Sequence, residues 1–147
     1  MLKTYDYCVF GAGLAGLNVA KSLIELNSDC SILIIDPKGI GGGASGTPIG
    51  LVNPATGRYA TKSWRAEESV QNVINNFKDV EKYNSTPFYK KSGVIRPAAD
   101  EKIARRMHEN LETTEWEESW VKWLTESEIN KQFPGLYCVE GGLLINE

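Results

Sequence analysis

The residues best suited to chemistry in this 147-residue chain are three glycines, in the run Gly11-Ala-Gly-Leu-Ala-Gly16. The spacing G-x-G-x-x-G serves a backbone that must approach a diphosphate. Gly11 permits the tight turn, Gly13 lets the main chain come close to the anion, and Gly16 lets a helix pack against the preceding strand. Free N–H groups and the dipole at the N-terminus of that helix favour negative charge. A carboxylate agrees with this reading: Asp36 lies about 20 residues beyond Gly16, where an acid accepts hydrogen bonds from the ribose of an adenosine and repels a 2′-phosphate. Gly39 to Gly46 (GIGGGASG) follows almost at once, rich in backbone N–H groups unencumbered by side chains. Thr47 to Pro54 (TPIGLVNP) is apolar and small enough to run extended beside a flat ring. The bland alternatives are a tight turn, a strand end and a surface loop without a ligand.

The elements that must hold these residues are legible around them. Tyr5 to Phe10 reads as a strand, and Leu14 to Asn27 as a helix with apolar residues at three- to four-residue spacing. Ser31 to Ile35 is an unbroken apolar run of the kind that a parallel sheet covers on both faces. Together they make a βαβ unit. Lys38 to Gly57 is too long for a turn. Beyond it the pattern predicts a polar helix over 62–83 that includes Trp64, and a hairpin or bent strand pair over 87–97 with its turn near Ser92 and Gly93. It then predicts a helix over 100–111, a short helix over 126–133 stopped by Pro134 and Gly135, and a strand over 137–145. Trp116, Trp120 and Trp123 fall at the spacing of one helical face, suited to packing or to an aromatic wall.

Composition narrows the function. With 16 basic and 19 acidic residues the net charge is -3, which gives no electrostatic case for nucleic acid or an anionic membrane. No apolar run reaches the length of a membrane span and the first residues do not resemble a signal peptide, so a cytoplasmic location is expected. Cys8, Cys30 and Cys138 are widely spaced, and His108 is the only histidine. Buried free thiols and no metal site are the expectation. His108 reads as a surface histidine. Arg58 reads as a surface ion pair or a group for an acidic ligand.

The succession GAGLAG, IIDP, GGGASG and GLVNPATGR resembles the D-amino-acid oxidase and glycine oxidase family of FAD-dependent oxidoreductases, in its bacterial branch. Looser resemblance continues through LTESEINKQFPGL and GGLLINE. The resemblance implies an α/β fold: a Rossmann-like FAD-binding βαβ over 1–85, and additional strands and helices from an incomplete substrate region over 86–147. It implies that Gly11, Gly13, Leu14, Ala15 and Gly16 cradle the diphosphate, and that Asp36 takes the adenosine ribose with Pro37 and Lys38 beside the adenine. Gly43, Ala44, Ser45 and Gly46 add phosphate contacts, and Gly50, Leu51 and Val52 run near the isoalloxazine. It assigns no catalytic side chain, since orientation and cofactor electronics supply most of the chemistry.

The function so implied is oxidation of an amine or amino acid by hydride transfer to flavin N5. Members of this family are more than twice as long, so the expectation is an N-terminal fragment, inactive alone, that contacts neither nucleic acid nor membrane. A complete short protein that pairs with another chain is the alternative, with a homodimer through open sheet edges as its form. A non-catalytic nucleotide-binding module and an NAD-linked dehydrogenase are the competing functions.

Overall fold

The structure is a computed structural model that describes residues 2–84 and 87–146. The chain divides into two compact units, Met1–Leu51 and Val52–Glu147.

The first unit is the expected βαβ. Strand β1 (Tyr7–Phe10) pairs in parallel with β2 (Ile32–Ile35), in the register Tyr7 to Ile32 and Phe10 to Ile35. Helix α1 (Leu14–Leu26) connects them. The open end of the pair is pinned by Asp6, whose Oδ2 accepts from the Ser31 amide at 2.7 Å and the Ser31 hydroxyl at 2.6 Å. These bonds hold the Asp6 carboxyl below the ordinary carboxylate range. The sheet has two strands, and its apolar side chains are only partly covered: Phe10 is 79% exposed and Ile35 44%. Cys8 is exposed and Cys30 half-buried, which corrects the expectation of buried thiols at both positions. The unbroken apolar run in β2 registers strand propensity, while coverage of both faces would need layers that a two-stranded sheet does not have.

The second unit carries the apolar core. A short hairpin, β3 (Ala55–Thr56) with β4 (Thr61–Lys62), is followed by α2 (Ala66–Glu81). The helix expected over 62–83 is therefore shorter. Lys62 belongs to the hairpin, Arg65 adopts a left-handed conformation at φ 49°, and Trp64 stands 83% exposed before the helix begins. Next come β5 (Val94–Pro97), α3 (Glu101–Thr113), β6 (Val121–Leu124), α4 (Glu126–Gln132) and β7 (Gly142–Ile145). The three strands form an antiparallel sheet in the order β5-β7-β6. Ile145, Leu143 and Leu124 are fully or almost fully buried, and Ile103 and Met107 of α3 join Leu143 and Ile145 in the larger core cluster.

Four further expectations in this unit are corrected. The 87–97 segment is not a hairpin: β5 pairs with β7, far along the chain, and Gly93 turns at φ +72° just before it. The three tryptophans do not share a helical face. Helix α3 ends at Thr113, Thr114 is extended, Ser119 turns at φ 70°, and Trp123 lies on β6. His108 is half-buried, its ring centre 3.9 Å from that of Trp123. The strand expected over 137–145 is confined to 142–145, because Gly141 at φ +84° breaks the extension.

Local rules account for the helix starts. Asp100 caps α3 by accepting from the Ile103 amide at 2.8 Å. Thr125 and Glu128 form a reciprocal capping box on α4. Arg96 of β5 donates to the carbonyls of Ala55, at 2.7 Å, and Gly57, which fastens the β3–β4 hairpin to the sheet.

Candidate functional site

Gly11 to Gly16, Asp36 and the loop through Gly41 and Ser45 converge at the C-terminal end of β1 and β2, whereas no contact among the described residues brings Gly50, Leu51 and Val52 there. Gly11 lies just past β1 with φ +102°, a conformation that glycine adopts without the penalty a Cβ would incur. Its amide continues the ladder by donating to the Ile35 carbonyl at 2.8 Å. A Cβ on Gly16 would lie 1.9 Å from the Gly11 carbonyl oxygen and 3.3 Å from Val9, so glycine is what lets α1 rest on the turn and the strand. Leu14, Ala15 and Gly16 form the first turn of α1, whose N–H groups have no helical carbonyl to bond.

Asp36 sits at the end of β2 and reaches back across the motif. Its Oδ2 accepts from the Ala12 amide at 2.8 Å, and its Oδ1 accepts from the Lys38 amide at 2.7 Å. These two N–H bonds, that of Ala12 first, hold the carboxyl below the ordinary carboxylate range, so it is anionic at neutral pH. Each oxygen retains a lone pair for a further donor such as a ribose hydroxyl. Pro37 and Lys38 follow on the exposed surface.

The glycine loop folds onto the same place. Gly41, at φ +67°, donates to the Ala12 carbonyl at 2.9 Å. Ala44–Gly46 form one turn of 3₁₀ helix, and Ser45 Oγ accepts from the Leu14 amide at 3.0 Å. A Cβ on Gly46 would lie 2.2 Å from the Gly41 carbonyl oxygen, so the loop closes on itself only with glycine there. At Gly43 and Gly50 a Cβ would meet nothing within 4 Å, so these two leave open space instead of relieving a clash. Gly50 and Leu51 lie outside regular structure at the end of the first unit, with Leu51 67% exposed, and Val52 begins the second.

Gly11 through Gly16, Asp36, Lys38, Gly41 and Ser45 are thus joined by direct bonds and close approaches in one unit. Sequence reasoning missed two members of this set, Ala12 and Gly41. Ala12 is 4% exposed and uses both backbone groups, its amide toward Asp36 and its carbonyl toward Gly41. No residue-type signal marks Ala12. Gly41 sits in the glycine run, but nothing distinguishes it from Gly42 or Gly43 until its φ is seen.

The second unit holds a recess of about 290 Å³ lined by Lys62, Glu67, Glu115, Trp116 and Glu117. Lys62 is engaged there: it pairs with Glu67, donates to the Glu115 carbonyl and lies 5.4 Å from the Trp116 ring centre. Arg58 is exposed and forms no ion pair among the described residues. Among the described residues no cluster of His, Cys, Asp and Glu is placed to hold a metal, and no helix is long and apolar enough to cross a membrane.

Comparison with known proteins bears on this arrangement. In fold the chain is similar to glycine oxidase from Geobacillus kaustophilus, with a TM-score of 0.77 at 20% identity, over 97% of this chain and 39% of that one. In sequence it is 26% identical over 126 residues to the tRNA 5-methylaminomethyl-2-thiouridine biosynthesis bifunctional protein MnmC of two Leptospira interrogans strains. That match covers 83% of this chain and 18% of each relative, so the chain spans under a fifth of their length. The family model described as DAO, FAD dependent oxidoreductase, matches residues 6–147, and the chain belongs to that FAD-dependent family.

Proposed function

We propose that residues 11–46 bind the adenosine and diphosphate of an FAD, and Gly50, Leu51 and Val52 its isoalloxazine, in an enzyme that oxidises an amine or amino acid. The observation that supports this reading best is the bond from the Ala12 amide to Asp36. It sets a carboxylate suited to ribose hydroxyls beside a helix N-terminus where a Cβ on Gly13 or Gly16 would meet a neighbour closer than 3 Å. When bound, FAD supplies a hydride acceptor at its flavin N5.

The chain's own residues bind and orient. First-turn N–H groups of Ala15 and Gly16 face the diphosphate beside Leu14, whose own amide is taken by Ser45, and Gly43, Ala44, Ser45 and Gly46 close over it. Asp36 takes the ribose hydroxyls, with Pro37 and Lys38 beside the adenine. Gly50, Leu51 and Val52 run along the isoalloxazine, where the open space at Gly50 suits a flat ring. On this reading residues 1–85 serve the cofactor and 86–147 begin the substrate region.

The amine class rests on a shared feature of the relatives' names. Glycine and a methylaminomethyl group both carry a C–H bond next to nitrogen. A free amino acid and an aminomethylated tRNA base are therefore the substrates to separate, with the tRNA reading favoured by the MnmC match. The test is anaerobic mixing of the FAD-loaded protein with glycine, sarcosine and aminomethylated tRNA. Loss of flavin absorbance with one of them supports the proposal and names the class. Bleaching by none of them removes the amine class. Binding of NAD without FAD removes the flavin reading in favour of an NAD-linked dehydrogenase, and binding of neither favours a non-catalytic module.

A further inference from the structure

Helix α1 begins without a cap of its own. Its N-cap residue is Gly13, which has no side chain to accept the orphan amides of the first turn. The acceptor comes instead from 31 residues downstream: Ser45 Oγ takes the Leu14 N–H at 3.0 Å. A capping serine normally belongs to the same turn. Here the loop that carries it is itself braced on the glycine motif, through the Gly41 amide on the Ala12 carbonyl and the close packing of Gly46 on Gly41.

A second measurement concerns the same pair. A Cβ on Gly13 would lie 2.8 Å from Ser45 Oγ but 3.6 Å from Ser45 Cβ. The hydroxyl, and only the hydroxyl, occupies the space that a side chain at position 13 would need. Gly13 is usually explained by the approach of a diphosphate. In this chain a side chain at position 13 would also have to turn the Ser45 hydroxyl away from the Leu14 amide.

We infer that Ser45 is a positioning residue, the remote N-cap of α1, and that Gly13 is glycine because the Ser45 hydroxyl has to come this close. The hydroxyl accepts from Leu14 and keeps its own proton to donate. It therefore holds the first turn in place while presenting a donor to an anion at the helix N-terminus. Folding of the 41–46 loop and readiness of the anion site are then one event. The last point rests on the FAD reading above; the capping geometry does not.

The test is a double-mutant cycle on this chain with two separate readouts. Thermal midpoints are measured for Gly13→Ala, Ser45→Ala and the pair, because a cycle isolates the interaction between two contacting residues. Gly13→Ala should lower the midpoint in the native background and cost little more in the Ser45→Ala background, where the new methyl meets only Cβ at ordinary contact distance. Additive losses would overturn the proposal. Ser45→Thr, which keeps the hydroxyl, should restore the Ser45→Ala loss; no restoration would also overturn it.

The second readout is titration with FAD, ADP and riboflavin. Ser45→Ala should weaken FAD and ADP together by about fivefold, on the scale of a lost cap, and leave riboflavin unmoved. Equal weakening of riboflavin would overturn the diphosphate-facing role. If native protein binds neither FAD nor ADP, the FAD reading fails, and the thermal cycle still decides whether Ser45 caps the helix.

Discussion

The two units are held together by different means. Among the described residues of Met1–Leu51 the buried hydrophobics are Ala12 and Ala20, and the structure rests on a parallel strand pair, glycine contacts and the bonds of Asp6 and Asp36. In Val52–Glu147 the sheet β5-β7-β6 buries Leu124, Leu143 and Ile145 with Ile103, Met107 and Ile129. The first unit is specified by backbone geometry and suits a site; the second is specified by apolar burial and suits a scaffold. A cofactor site needs close backbone approach and exposed polar groups, which a packed apolar core excludes.

The comparison predicts its own breaking points. The largest effect is expected in the core of the second unit. Leu124→Ala should cost about 2–5 kcal/mol in urea unfolding, through lost burial and a residual cavity. Leu26→Ala, at a side chain 85% exposed on α1, should stay within about 0.5 kcal/mol. Equal costs at the two leucines would erase the distinction.

Gly16→Ala comes next. The new methyl would collide with the Gly11 carbonyl, a backbone atom that cannot rotate away, and overpacking of this kind costs about 1–3 kcal/mol. The loss should show as faster amide exchange in Tyr7–Phe10 and Ile32–Ile35. Unchanged exchange there would mean that α1 does not depend on its contact with the turn. Thr125→Ala is a smaller probe, about 1 kcal/mol, because it removes the acceptor of the α4 capping box. Circular dichroism during urea unfolding reads it.

The gentlest probe is pH. Asp36 is held below its ordinary value by the Ala12 and Lys38 amides, so its folded pKa lies under the unfolded one. That stabilisation is complete above the unfolded value of about 4 and is lost as pH falls through the lower folded value. Acid should therefore loosen the glycine turn below about pH 4. Asp36→Asn should flatten that part of the profile, as read from amide exchange of Ala12. An unaltered profile in the variant would assign the acid sensitivity elsewhere, with Asp6 the next carboxylate to replace.

The same contrast explains what was legible in the sequence. The βαβ, the glycine motif and Asp36 are local: each is written in consecutive residues and a fixed spacing, and each lies where the spacing put it. The second unit is built from distant pairings. Nothing in 87–97 says that its strand will choose Gly142–Ile145 as partner, and the tryptophan spacing is helical by arithmetic alone. Turns set by Arg65, Ser119 and Gly141 decided those segments, and left-handed backbone at Arg65 or Ser119 has no residue-type signature. Within the candidate site, the bond from the Leu14 amide to Ser45 was not legible in the sequence, because it spans 31 residues.

The most direct test of the central claim is equilibrium titration of the chain with FAD and ADP, native against Gly16→Ala and Asp36→Ala. The account predicts saturable binding of both ligands by native protein. It further predicts loss of both on Gly16→Ala and weakening on Asp36→Ala, with the ellipticity of the native fold retained by Asp36→Ala. Absence of saturable binding in the folded native chain, or binding that both substitutions leave intact, would contradict the assignment of residues 11–52 to the cofactor.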